Sequence, residues 1–176
     1  MDMNDVVFNT QVSPLYALAD MTLSNSLIGK AFISNSAQTV SSGQSMILRL
    51  SNPTSSNIRA VIDMGMASVN TSTLTLVTVL LDPTVSISTT PVSPVVLNTA
   101  YVGTSPVCTT VVGVGTTPVY SGGTIIQQLY VQGTTVFSPT DFVLTANHSV
   151  AVVFSPAGSS VQAIRWYEIP PTAFPS

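Results

Sequence analysis

Met46-Ile47-Leu48-Arg49-Leu50, the run Ser51-Asn52-Pro53-Thr54-Ser55-Ser56-Asn57 and the following Ile58-Arg59-Ala60-Val61-Ile62-Asp63-Met64 decide the fold class. In an extended chain successive side chains point to opposite faces, so Met46, Leu48 and Leu50 share one face while Ile47 and Arg49 take the other. Ile58, Ala60, Ile62 and Met64 repeat the pattern, with Arg59 and Asp63 directed away. The stretch between them is made of turn residues. The two runs are therefore expected to form an antiparallel pair.

Working outward, the same grammar recurs. Thr73 to Leu81 is mostly apolar, as a central strand would be, and Asp82-Pro83 ends it because proline cannot donate to a ladder. From Val85 to Val119 prolines 91, 94, 106 and 118 punctuate short Val- and Thr-rich runs, which predicts short edge strands and ordered loops. Ile125 to Val131, a tight turn at Gly133 and Thr135-Val136-Phe137 are expected to form a hairpin. Asp141 to Thr145, Ser149 to Phe154 and Val161 to Glu168 are three further strand-length runs. In the last, Ile164 and Trp166 alternate with Arg165 and Tyr167, so one aromatic enters the core and the other sits at its edge. Helix signals are nearly absent, and there is no repeat of fixed period. Eight to ten short strands spaced by turns predict an all-β chain: a jelly-roll-like, two-sheet antiparallel sandwich, over residues 26–176.

Residues 1–25 are expected to be an extended N-terminal arm. Asp5-Val6-Val7-Phe8-Asn9-Thr10-Gln11-Val12 alternates Val6, Phe8 and Val12 against Val7, Asn9 and Gln11, and Pro14 follows it. Such a strand could complete a sheet edge of an adjacent subunit, which makes Val6, Val7, Phe8 and Val12 the candidate subunit contacts. The alternative is that it pairs with its own sheet as an ordinary first strand.

Composition bounds the partners. The chain has 176 residues, of which 6% are charged and, by count, 47 are Ser or Thr; its net charge is −3. With 45% apolar residues it has the surface to offset the entropy of ordering, so it folds. Four basic residues, Lys30, Arg49, Arg59 and Arg165, give no footprint for nucleic acid or an anionic membrane. The first 25 residues hold no Lys or Arg and lack the pattern of a signal peptide, and no apolar run approaches the ~20 residues of a spanning helix. The single Cys108 excludes an intrachain disulfide and is expected to be an inert thiol embedded in a strand. An exterior so poor in Lys and Glu suits association, which points to copies of the same chain as partner and, with no export signal, to a cell-surface or extracellular subunit released by lysis, as spore-coat and virion proteins are.

Chemistry is sparse. General acid–base catalysis needs two titratable groups together, and one His, one Glu and six Asp show no diagnostic spacing. His148 is expected in a solvent-facing turn. There is no Gly-x-Ser-x-Gly elbow, and Gly113-Val114-Gly115 lacks the Lys-Ser/Thr of a phosphate loop. No catalytic residue, cofactor or metal is expected. Tyr101, Tyr120, Tyr130, Trp166 and Tyr167 leave carbohydrate binding as an alternative. Arg49, Arg59 and Arg165 lie inside strand patterns and are each expected to pair with Asp63, Asp82, Asp141 or Glu168.

Gly29-Lys30-Ala31-Phe32, Met46 to Pro53, Phe142-Val143-Leu144, Ser149 to Phe154 and Ala163-Ile164-Arg165-Trp166-Tyr167-Glu168-Ile169-Pro170 together resemble small β-sandwich proteins of spore-forming bacteria similar to endospore appendage subunits. A comparable aromatic pair plus Glu ends phage head-fibre and decoration proteins. The first resemblance implies a jelly-roll subunit that polymerises through an N-terminal connector. Connectors of that class often carry locking cysteines, and this arm has none. The expected function is a non-enzymatic structural subunit that self-assembles into a filament or surface array. A phage decoration or fibre protein and a carbohydrate-binding module are the alternatives.

Overall fold

The computed structural model describes residues 30–70, 74–101, 103–137, 142–155 and 158–171. Its strands are β1 (Ala31–Val40), β2 (Gln44–Ser51), β3 (Arg59–Val69), β4 (Thr75–Leu81), β5 (Thr84–Val85), β6 (Thr90–Val92), β7 (Val95–Val96), β8 (Thr109–Thr116), β9 (Tyr120–Ser121), β10 (Thr124–Val131), β11 (Thr134–Phe137), β12 (Phe142–Leu144), β13 (Ser149–Phe154) and β14 (Gly158–Ile169), with one 3₁₀ turn at Thr99–Tyr101. The first sheet runs β11-β3-β14-β1-β7, with β12 also on β3. The second runs β10-β4-β13-β2-β8-β6, and β5 pairs with β9 in a small ribbon. All pairs are antiparallel.

With β11 and β12 taken as one broken strand and β5–β9 as an insertion, the first strand pairs with the last (β1 and β14) and the second with the last but one (β2 and β13). The third pairs with β11 and β12, and the fourth with β10. This nested order is that of a jelly roll, as the strand pattern predicts.

Two local expectations fail for one reason. β2 and β3 do not pair: β2 lies between β13 and β8, and β3 between β14 and β11 or β12, in the opposite sheet. β10 and β11 also part company, one to each sheet. Alternation reports which side chains face the core, and in a sandwich both sheets face the same core, so consecutive strands with matching patterns can sit across from each other. The run at 51–57 is thus a corner between sheets. Asn52 holds it: its buried side-chain amide donates to the carbonyls of Ile58 and Leu144 (both 3.1 Å), and its backbone amide donates to His148 O (2.9 Å).

The core between the sheets holds Met46, Leu48 and Leu50 of β2, Ile62 of β3, Val77 and Val79 of β4, Val150, Val152 and Phe154 of β13, and Ile164 and Trp166 of β14. Phe32 of β1 lies against the Trp166 ring at 5.8 Å between centroids. Each such side chain, fully buried, contributes roughly 1.5–3 kcal/mol. Two polar links cross the gap. Ser34 of β1 donates to Thr110 of β8 (2.8 Å), which donates to Val92 O (2.8 Å), and Gln162 of β14 donates to Val152 O (3.1 Å). Trp166 is the aromatic in the core. Tyr167 lies with Ala31, Val61 and Ile169 in a buried cluster on the outer face of the first sheet.

The insertion between β4 and β10 extends both sheets, with β8 and β6 beyond β2 and β7 beyond β1. β8 is a full strand of eight residues, longer than the short strands expected in this stretch. The insertion also covers the outer face of the second sheet, where Val119, Val85, Ile87 and Tyr120 pack on Ile47, Leu80, Ala151 and Val153. Ile87 is accommodated because β8 carries glycines beneath it: a Cβ at Gly113 would stand 2.9 Å from Ile87 Cδ1 and from Ser88 O, and one at Gly115 2.8 Å from Ile87 Cγ2.

Candidate assembly surface

A sheet ends in a strand with one side unpaired, and proteins close such edges with short strands, proline, charge or a covering segment. Among the described residues, β7 ends the first sheet with two residues, and β11 and β12 end it on the other side with four and three. β6 ends the second sheet with Thr90-Pro91-Val92. β10 differs. It runs eight residues, Thr124-Ile125-Ile126-Gln127-Gln128-Leu129-Tyr130-Val131, with no charge and no proline, and among the described residues β4 is its one strand partner.

Sequence explains both the start and the course of β10. Gly122 and Gly123 precede it with φ of +63° and +80°, and a Cβ at Gly123 would stand 2.9 Å from Leu81 O, so the tight entry beside β4 requires glycine there. A bulge between Ile125 and Gln127 shifts the register once. Gln127 to Val131 then pair regularly with Val79 to Thr75. Leu129 packs against the core and Val131 is buried in it.

The outer side is apolar and open. Tyr130 is 68% exposed, Ile125 54% and Ile126 39%; Leu76, paired with Tyr130, is 38% exposed. Beside Leu76 a groove of about 360 Å³ runs between β4, β13 and the 117–122 segment. Its floor carries a chain of hydroxyls, Ser45 Oγ within 2.5 Å of Thr117 Oγ1 and 2.6 Å of Ser155 Oγ.

The titratable groups do structural work. Asp82 accepts from His148 Nδ1 and from the Ser149 amide, both at 2.7 Å, and thereby ties the end of β4 to the start of β13. Burial works against ionisation of Asp82, but the hydrogen bonds from His148 and Ser149 and the charge of His148 outweigh it, so its carboxyl is held below the ordinary value. His148 is half exposed in a turn, as expected, yet paired. Arg165 Nε donates to both oxygens of Asp63 (2.9 and 3.1 Å), which bears out the expected partner for that arginine. For Arg49 the structure describes only a buried Nε with no hydrogen-bond partner among the described residues. Asp141 lies outside the described residues.

Glu168 serves main chain instead of arginine. Its buried carboxylate accepts from the amides of Val107 (3.0 Å) and Cys108 (2.8 Å), with Trp166 Nε1 at 3.4 Å, and so fastens the approach to β8 onto β14. Cys108 is buried in that approach, one residue before β8 begins rather than within a strand. Burial, reinforced by the neighbouring Glu168 charge, pushes its thiol far above the ordinary range. Among the described residues no three His, Cys, Asp or Glu side chains come together as a metal ion would need, and no helix is long and apolar enough to cross a membrane. Trp166 in the core and Tyr167 on the opposite sheet share no face with Tyr130.

Of the residues singled out from sequence, Val6, Val7, Phe8 and Val12 lie outside the described residues. The sequence hides the β10 edge by offering Thr135-Val136-Phe137 as a hairpin partner, which pairs with β3 instead. Its signal was the eight-residue run free of Lys, Glu and Pro. Comparison with protein-family models, with curated proteins and with solved structures finds no match to this chain.

Proposed function

We propose that this chain is a non-enzymatic structural subunit that self-assembles into a filament or surface array, with residues 5–12 as a connector that adds a strand to a neighbouring subunit. A spore appendage, outside the cell, is the setting that its sequence resemblance favours. One observation carries the reading: β10, the longest sheet edge among the described residues, has neither charge nor proline and an exposed apolar flank. A free monomer with such an edge is an aggregation hazard, whereas a subunit uses it. The scarcity of charge over the whole chain agrees, since like-charge repulsion is what keeps monomers apart.

Negative-stain microscopy of the purified chain tests it. Filaments or sheets are expected, and deletion of residues 1–12 is expected to leave a folded domain that no longer polymerises. Isolated particles at high concentration would refute self-assembly. Closed rings of a few copies would support the phage-type alternative.

A further inference from the structure

The inference rests on the reading above and names the surface that receives the connector. We propose that the side of β10 (Thr124–Val131) away from β4, unpaired among the described residues, binds residues 5–12 of a second copy of this chain.

The two segments match in length and chemistry. Both are eight residues long, and together they hold one charge, Asp5. β10 places Leu129 and Val131 on the core side of its pleat and Gln128 and Tyr130 on the outer side. A strand laid beside it would extend the core side with Val6, Phe8 and Val12, and would set Asn9 and Gln11 near Gln128. Main-chain hydrogen bonds then supply affinity, and the alternating side chains supply register. The bulge at Ile125 leaves Gln127–Val131 as the regular part of the template.

Placement allows the contact to run from one copy to the next. β10 stacks over β3, whereas β1, where the described chain begins, stacks over β2 and β8, at the other side of the sandwich. β10 and β8 stand four strands apart in one sheet, roughly 19 Å. The 17 residues from 13 to 29 span up to about 60 Å when extended, which is enough to leave one sandwich and reach the next. Donor and acceptor are different segments, so the contact is heterologous, and it builds a filament wherever the rotation between successive copies does not close a ring.

Two full-length variants test the assignment. Ile126→Lys with Tyr130→Lys guards the acceptor with charge at exposed positions, and Phe8→Asp spoils the donor. Each alone is expected to stay folded by circular dichroism and to raise the critical concentration for assembly at least about tenfold, the equivalent of ~1.4 kcal/mol. Mixed in equal amounts they are expected to form a discrete two-chain complex by sedimentation, since one still has the arm and the other the edge. The acceptor is overturned if the Lys variant polymerises like the unaltered chain, or if Phe8→Asp still associates edge to edge. Hydrogen exchange on the unaltered chain gives an answer that needs no variant: amides of 127–131 must slow on assembly, and unchanged exchange there overturns the acceptor. If the unaltered chain never assembles, the functional reading fails as well. If that monomer's β10 amides are already protected, the arm has closed on its own subunit.

Discussion

At one end of the second sheet β6 contributes three residues, the middle one Pro91, on a strand supplied by a long insertion. At the other end β10 runs for eight residues bearing only neutral side chains, with Tyr130 and Ile125 in the open. Among the described residues the same sheet therefore has a closed end and an open one. The insertion accounts for the difference: it adds β8 and β6 beside β2, drapes Val85, Ile87 and Tyr120 over the outer face, and stops short of β10. A chain that simply tolerated exposed edges would not leave one alone so long. The asymmetry is what the proposed assembly would use to set a direction.

Breaking the closed end should have the largest effect. Glu168→Ala leaves the amides of Val107 and Cys108 without their acceptor in a buried place, and a loss of about 3 kcal/mol in urea unfolding is expected. The same variant should make Cys108, shielded and held protonated in the native chain, react with thiol reagents far sooner. Gly115→Ala drives a methyl into Ile87 and should cost about 1–2 kcal/mol. In an Ile87→Ala background that cost should shrink by about 1 kcal/mol in a double-mutant cycle, which isolates the contact that holds the cover down.

Pro91→Val should change stability by less than about 0.5 kcal/mol, since the residue is exposed, yet it restores a missing donor at the closed end. Lateral bundling of assemblies under the microscope is the expected result. The smallest effect belongs to the corner between β4 and β13. Because Asp82's carboxyl is held below its ordinary value, its contribution is present above the unfolded value and is lost as pH falls through the folded one, in the range below about pH 4. The pair is half exposed, so solvent screening limits the loss to a few tenths of a kcal/mol. Asp82→Asn should flatten that part of the pH–stability curve.

What was legible in the residues was the side of the pleat. Met46, Leu48 and Leu50 face inward as alternation demands, Trp166 enters the core, and the strand-length runs near the C-terminal end became β12, β13 and β14. What was not legible was pairing. Period two carries no information on which sheet a strand joins, so Met46–Leu50 and Ile58–Met64 looked like neighbours when Asn52 turns the chain across the sandwich. Gly113 and Gly115 had no meaning until Ile87 was seen against them, and Glu168 looked like an arginine partner because the two amides it accepts lie some sixty residues away in the chain. Of the candidate site, the neutral composition pointed toward association, while the long neutral edge of β10 is visible only in the pairing, where β10 lies on β4 and β11 on β3.

The position of β14 sets a clock. The last described strand lies between β1 and β3 and brings Trp166 and Glu168 with it, so a nascent chain still short of residue 158 has the two flanks of one sheet without the strand that joins them. Its earlier strands leave the ribosome before that sheet can close, so β3, the strand that backs β10, gains its β14 neighbour only in the finished chain. The joint proposed at β10 would therefore form between finished copies.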